Sequence, residues 1–213
     1  MKTDDLINAI AADAKSVEPP IAQTVAMAVG VGALISALIF LWTIGIRDNF
    51  AESMATSLRF VFKFVLTLSL AIPAYVLVRG LSRPDFQPGK KLWLLALAPA
   101  LLLIGIALEL LSVPPDEWHA RMIGHNSVAC LILIPLLSLA PLAAVLYALR
   151  CGAPANPAIA GAVGGLLSAG IGATLYASHC LDDSPLFLAA WYTIGIVVMT
   201  GLGALIGSRI LRW

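Results

Sequence analysis

Residues 21–46 read IAQTVAMAVGVGALISALIFLWTIGI, a run without a charged side chain and apolar on every side. A helix needs roughly 20 such residues to cross about 30 Å of hydrocarbon, so this stretch is long enough to span a bilayer. A lipid-facing strand would alternate apolar with polar residues, and this run does not, which argues for a helix rather than a barrel strand. The pattern recurs at 58–78, 92–111, 128–149, 159–177 and 186–205, with segments richer in Gly, Pro, Ser and charge between the runs. The expectation is an all-α, polytopic membrane bundle of six transmembrane helices over 21–213, preceded by a short tail over 1–20. Composition agrees, since 60% hydrophobic residues against 12% charged ones excludes an ordinary soluble domain. The first apolar run starts too late and is too long for a cleaved signal peptide, and is read as a retained span.

Orientation follows from the basic residues, which concentrate on cytoplasmic flanks. The flanks on the side of the N-terminus hold Lys2, Lys15, Arg79, Arg83, Lys90, Lys91, Arg150, Arg209 and Arg212. The other side holds Arg47, Arg59, Lys63 and Arg121. Both the N- and C-termini are therefore expected in the cytoplasm. The first loop runs against this rule, although Asp48 and Glu52 stand beside its cations.

Several features inside the spans are those of helix packing. Gly161 with Gly165, and Gly203 with Gly207, have the small-xxx-small spacing that lets helix backbones approach closely. Pro73, Pro99, Pro135 and Pro141 are tolerated in membrane helices when neighbours satisfy the freed carbonyls. Only Lys63 and Glu109 are charges set into spans, both near outer ends, where snorkelling or mutual pairing accounts for them. A transporter normally carries a longer polar path. The sequence contains no metalloprotease, P-loop, serine-hydrolase or kinase signature, so no catalytic constellation is predicted.

The soft side chains are unevenly placed. His119 and His125 fall in the third loop, Cys130 at the outer start of the fourth span, and His179 and Cys180 at the outer end of the fifth. Cys151 alone lies on the cytoplasmic side. A short connection, 151–158, makes the fourth and fifth spans antiparallel neighbours, which sets Cys130 and Cys180 at similar depth on one face. Two chemistries stay open there. One is a disulfide pinning two helix ends together. The other is a soft-metal site in which two thiolates are assisted by His125, His179, Asp182 or Asp183. A single buried Cys is explained by packing alone, and this spacing is no standard zinc pattern.

The tail, MKTDDLINAIAADAKSVEPP over 1–20, reads as an acidic amphipathic helix. Thr3 can cap it, Asp4 and Asp5 suit the positive end of its dipole, and Pro19-Pro20 stop it. Leu6, Ile7, Ile10, Ala14 and Val17 form one apolar stripe. A membrane-surface helix would carry more Lys and Arg, so the tail suits a groove on a partner protein, or packing on the bundle's own loops.

Four stretches carry a resemblance that spans essentially the whole chain: MKTDDLINAIAADA at 1–14, IPLLSLAPL at Ile134–Leu142, ALRCGAP at Ala148–Pro154, and HCLDDSPLFLAAWY at His179–Tyr192. The chain resembles the NrsF-type membrane anti-sigma factors. The resemblance implies a six-helix protein of the bacterial inner membrane that holds an extracytoplasmic-function sigma factor at the cytoplasmic face and releases it under stress. It also implies that Cys130 and Cys180 take part in sensing heavy-metal or oxidative stress. Joined to the amphipathic reading of the tail, it makes Thr3, Asp4, Asp5, Leu6, Ile7 and Ile10 the candidate sigma-factor contacts. The expected partners are that sigma factor and the lipid bilayer, with no direct nucleic-acid contact. No cofactor is expected beyond a heavy-metal ion held transiently by the cysteines, no enzymatic activity is expected, and Cys151 is read as structural. The rival readings are a small metal or solute transporter, with the same thiols as an entry site, and a structural subunit of a larger membrane complex.

Overall fold

The computed structural model describes residues 3–13 and 21–212, the side chains of 9–13 excepted. Helix α1 (Thr3–Asp13) precedes α2 (Ile21–Thr43), and the short α3 (Phe50–Thr56) lies in the first loop before α4 (Leu58–Leu81). A 3-10 segment over Gly89–Ala96 runs into α5 (Leu97–Ser112), and α6 (Pro115–Ile123) forms the third loop. Then come α7 (Ser127–Arg150) and α8 (Pro157–Ala177). The sixth span is assembled from α9 (Pro185–Phe187), a π-helical turn (Leu188–Tyr192) and α10 (Thr193–Ile210). There is no strand among the described residues, and six helical stretches are long and apolar enough to cross a membrane. Of the expected tail stripe, Ala14, Val17 and the Pro19-Pro20 stop fall outside the described residues, as does the side chain of Ile10.

The span boundaries differ from the sequence reading in ways that local chemistry explains. The first helix stops at Thr43, not Ile46, because Gly45 takes φ +75° and the amides of Ile44 and Gly45 both turn back to the Phe40 carbonyl. The third span opens with 3-10 turns, which places Pro99 in the first turn of α5, where its missing N–H costs little. The sixth span continues to Ile210, past the expected 205.

Helix α8 is the axis of the bundle. Its glycines admit neighbours on three sides: Gly161 and Gly165 against Gly203, Gly207 and Met199 in the sixth span, Gly170 against Ala71 of α4, and Gly172 against Ile134 and Ser138 of α7. A Cβ at Gly161 would collide with the Gly203 carbonyl, so this crossing depends on bare backbone. Helix α2 docks on α7 through Pro141. The proline leaves the Leu137 carbonyl without its helical donor, and the Ser36 hydroxyl donates to it at 2.7 Å while Gly32 packs against the proline ring backbone. By contrast α5 is peripheral, with about a sixth (17%) of its span buried against 61% for α8.

The six long helices return the chain so that the Ile210 end of α10 lies on the same side of the bundle as the Ile21 end of α2. The opposite side gathers the loops 44–57, 113–126 and 178–184, and with them Cys130 and Cys180. We call it the thiol end.

Candidate functional site

Cys130 sits in the first turn of α7, and its amide bonds the Asn126 carbonyl. Cys180 lies three residues past the end of α8, yet the chain folds inward there, with the amides of His179 and Cys180 both donating to the Tyr176 carbonyl. Both side chains are fully buried, and both belong to one apolar cluster with Tyr176, Phe187, Leu188 and Tyr192. Both are free thiols. Burial pushes the Cys180 thiol up from its ordinary pKa, while the Lys63 ammonium and the Asp182 backbone pull it partly back. The Tyr176 and Tyr192 hydroxyls end in the same cluster, buried and without a well-formed hydrogen bond, with the Cys180 thiol as the polar group beside them.

The candidate auxiliary ligands are engaged elsewhere. The Asp182 carboxylate accepts from the His125 amide at 3.1 Å, the Asn126 amide at 2.8 Å and the Asn126 side chain at 2.9 Å, which places an acid at the N-terminus of α7. The His125 ring is almost wholly exposed, with Nδ1 3.6 Å from Asp182. His179 Nδ1 lies 3.1 Å from the Gly45 carbonyl, tying the loop to the end of α2. Asp183 pairs with Lys63 at 2.6 Å and Arg47 at 3.3 Å. Among the described residues no three of His, Cys, Asp and Glu converge as a metal-holding group. Of the candidate ligands, Cys130 and Cys180 are the two that share one buried cluster.

The two charges set into spans do not pair with each other. Lys63 is fully buried and donates to the carbonyls of Cys180 at 2.8 Å and Asp182 at 3.2 Å, in addition to its Asp183 pair. Glu109 is held by Arg59 at 2.9 Å, by Arg121 at 3.3 Å and by the Ser184 hydroxyl at 3.2 Å. Arg47 caps the first group, its guanidinium 3.9 Å from the Phe60 ring centroid and its Nη1 3.3 Å from the Cys180 carbonyl. Sequence reasoning missed this clamp. The available signal was the adjacent acids Asp182 and Asp183 beside Cys180, facing a first loop and an α4 start rich in cations.

Helix α1 covers Thr3–Asp13, within the stretch read as an amphipathic tail, and residues 3–8 are exposed, Leu6 and Ile7 included. It precedes the Ile21 end of α2, opposite the thiols.

A family model described as "NrsF: Negative regulator of sigma F" matches residues 10–213. The chain belongs to the NrsF family. The curated anti-sigma-F factor NrsF of Caulobacter vibrioides is 34% identical over the full length of both chains. A probable anti-sigma-F factor NrsF of Azospira oryzae is 34% identical over the same extent. No solved structure matches the chain. In this NrsF-family chain the thiol cluster lies at the opposite end of the bundle from Ile21, where α2 begins, and α1 precedes α2 in sequence.

Proposed function

We propose that this chain is a membrane anti-sigma factor that sequesters an extracytoplasmic-function sigma factor at the cytoplasmic face of the bacterial inner membrane and releases it when Cys130 and Cys180 change their bonding. The protein acts by binding and not by catalysis. The observation that carries the reading is the full-length similarity to anti-sigma-F factors in a chain whose two buried free thiols share one cluster. The excess of Lys and Arg on the terminus-bearing flanks supports a cytoplasmic location for α1, and the exposed Leu6 and Ile7 beside Asp4 and Asp5 suit docking into a groove of a basic partner. Thr3 and Ile10 complete the proposed contact.

The signal is a heavy metal or an oxidant at the thiol end. Either one changes the space and polarity of a packed cluster, and a packed core responds by switching between arrangements and not by gradual deformation. The sigma-binding arrangement then loses population. The deciding experiment replaces Cys130 and Cys180 with Ser, singly and together, and follows a sigma-dependent reporter with and without cadmium or diamide. The double variant keeps repression and loses induction; an unchanged induction would refute the sensor assignment. Deletion of residues 1–13 abolishes co-purification of the sigma factor, and retained binding would move the contact to the loops.

A further inference from the structure

We propose that Lys63 couples the Cys180 loop to α4, so that a change in the bonding of Cys180 displaces this helix. The inference rests on the thiol reading above and names its mechanical partner. An ammonium has three donors, and all of the polar contacts of Lys63 fall within four consecutive residues: the carbonyls of Cys180 and Asp182 and the carboxylate of Asp183. The side chain has no exposure, and it is the sixth residue of α4, about 7.5 Å along the helix from its start. Loop and helix are therefore mutually dependent. If the loop rearranges to accommodate an altered thiol, a cation inside the bundle loses its partners, and such a charge is costly to leave uncompensated. The relief available is for α4 to shift or turn until the long side chain reaches the aqueous end.

The ties that Asp182 and Arg47 make at this loop lack this property. The Asp182 carboxylate lies at the rim beside an exposed histidine, where water can replace its amide donors. The Arg47 guanidinium belongs to the first loop and not to a spanning helix. Among the described residues, Lys63 is the buried charge of a spanning helix that bonds residues 180–183 directly, while the buried Glu109 of α5 reaches only the following Ser184 hydroxyl. Helix α4 also delivers the displacement where it is needed. Its far end is fastened to the α7–α8 connection, the Ala153 amide donating to the Ser82 carbonyl at 3.1 Å and Gly152 packed against the same carbonyl too closely for any Cβ. Arg79 and Arg83 flank that contact.

The test uses the full chain in lipid nanodiscs with Cys151→Ser, which leaves the two buried thiols as the reactive ones. The probe is p-hydroxymercuribenzoate: each thiol forms an S–Hg bond as the Hg–OH bond breaks, and its proton leaves with that hydroxide as water. Intact mass reports uptake, and hydrogen exchange reports the peptides covering 79–91. With Lys63 present, uptake raises exchange there about tenfold. Lys63→Met leaves Asp183 paired with Arg47, so the protein folds, takes up the reagent and shows no change at 79–91. Asp183→Asn keeps an acceptor for Lys63 without the charge and gives an intermediate response. Reagent uptake with no α4 response in the parent, or an equal response in Lys63→Met, overturns the coupling alone. Thiols that take up no reagent would overturn the thiol reading and the coupling with it. No sigma factor enters the assay, so a failure of the anti-sigma reading leaves its result standing.

Discussion

The two ends of the bundle are stabilised by different forces. At the thiol end, three loops and the adjoining parts of α4, α5 and α7 are tied by charge: Lys63 and Arg47 on Asp183, Arg59 and Arg121 on Glu109, and Asp182 on the start of α7. Toward the terminus-bearing end, contact is made by bare backbone, as where Gly161 meets Gly203 and Gly207, and the cations lie outward, Arg79 over Tyr75 and Lys91 over Phe86. Buried charge networks have few satisfactory arrangements, whereas exposed charges are replaceable by water. At the first end a local change in the charge network has few ways to be absorbed. At the second the cations stay exposed.

The largest contrast is in thiol access. Cys151 is exposed at the far end of α7, while Cys130 and Cys180 are wholly buried. N-ethylmaleimide labels Cys151 more than about a hundredfold faster than either buried thiol in the folded protein, because the latter react only through opening. Mass mapping after brief labelling checks this, and comparable rates would break the description of a closed cluster. The raised pKa of Cys180 adds a pH sign. Its thiolate fraction, and hence its labelling through open states that retain the loop, lags that of an ordinary thiol and increases at higher pH.

Next in size is Asp183→Ala. It leaves Lys63 and Arg47 without their shared carboxylate and lowers stability by about 3–5 kcal/mol. Glu109→Ala costs less, about 1–2 kcal/mol, because Arg59 and Arg121 are partly exposed and can turn to water. Thermal unfolding of the two variants in detergent gives the order, and equal losses would remove the distinction between a sealed clamp and a wetted one.

How much of this was legible in the sequence divides along the same line. The six spans were readable because length and continuous apolarity are local properties, and the α8 crossing was readable from glycines at four-residue spacing. The proximity of Cys130 and Cys180 followed from a short connection between antiparallel helices. The clamp was not readable, since Lys63 and Asp183 are far apart in sequence and only tertiary packing brings them together. The same holds for the fate of His125, His179 and Asp182. Residue type marked them as candidate ligands, and only the fold shows His179 beside the Gly45 carbonyl, Asp182 on the amides of His125 and Asn126, and the His125 ring exposed. The inward fold of Cys180 past the end of α8 likewise depends on two amides sharing the Tyr176 carbonyl.

Smaller effects sharpen the other half of the comparison. Gly161→Ala forces apart α8 and the sixth span and costs about 1–3 kcal/mol, whereas Gly201→Ala, with open space around it, is neutral or slightly favourable. The smallest stability change is expected at α1. Leu6 and Ile7 are exposed, so Leu6→Asp with Ile7→Asp removes no buried contact and shifts unfolding by no more than about 0.5 kcal/mol. The same pair sits on the surface proposed for the sigma factor, and two added carboxylates deprive a partner groove of its apolar anchor. A pull-down then loses the sigma factor while the unfolding curve stays in place. That separation is the useful result. A substitution in the Lys63 or Glu109 ion pairs that abolished capture would also move the unfolding curve, because those pairs tie α4 and α5 to the loops, whereas the Leu6 and Ile7 side chains are exposed.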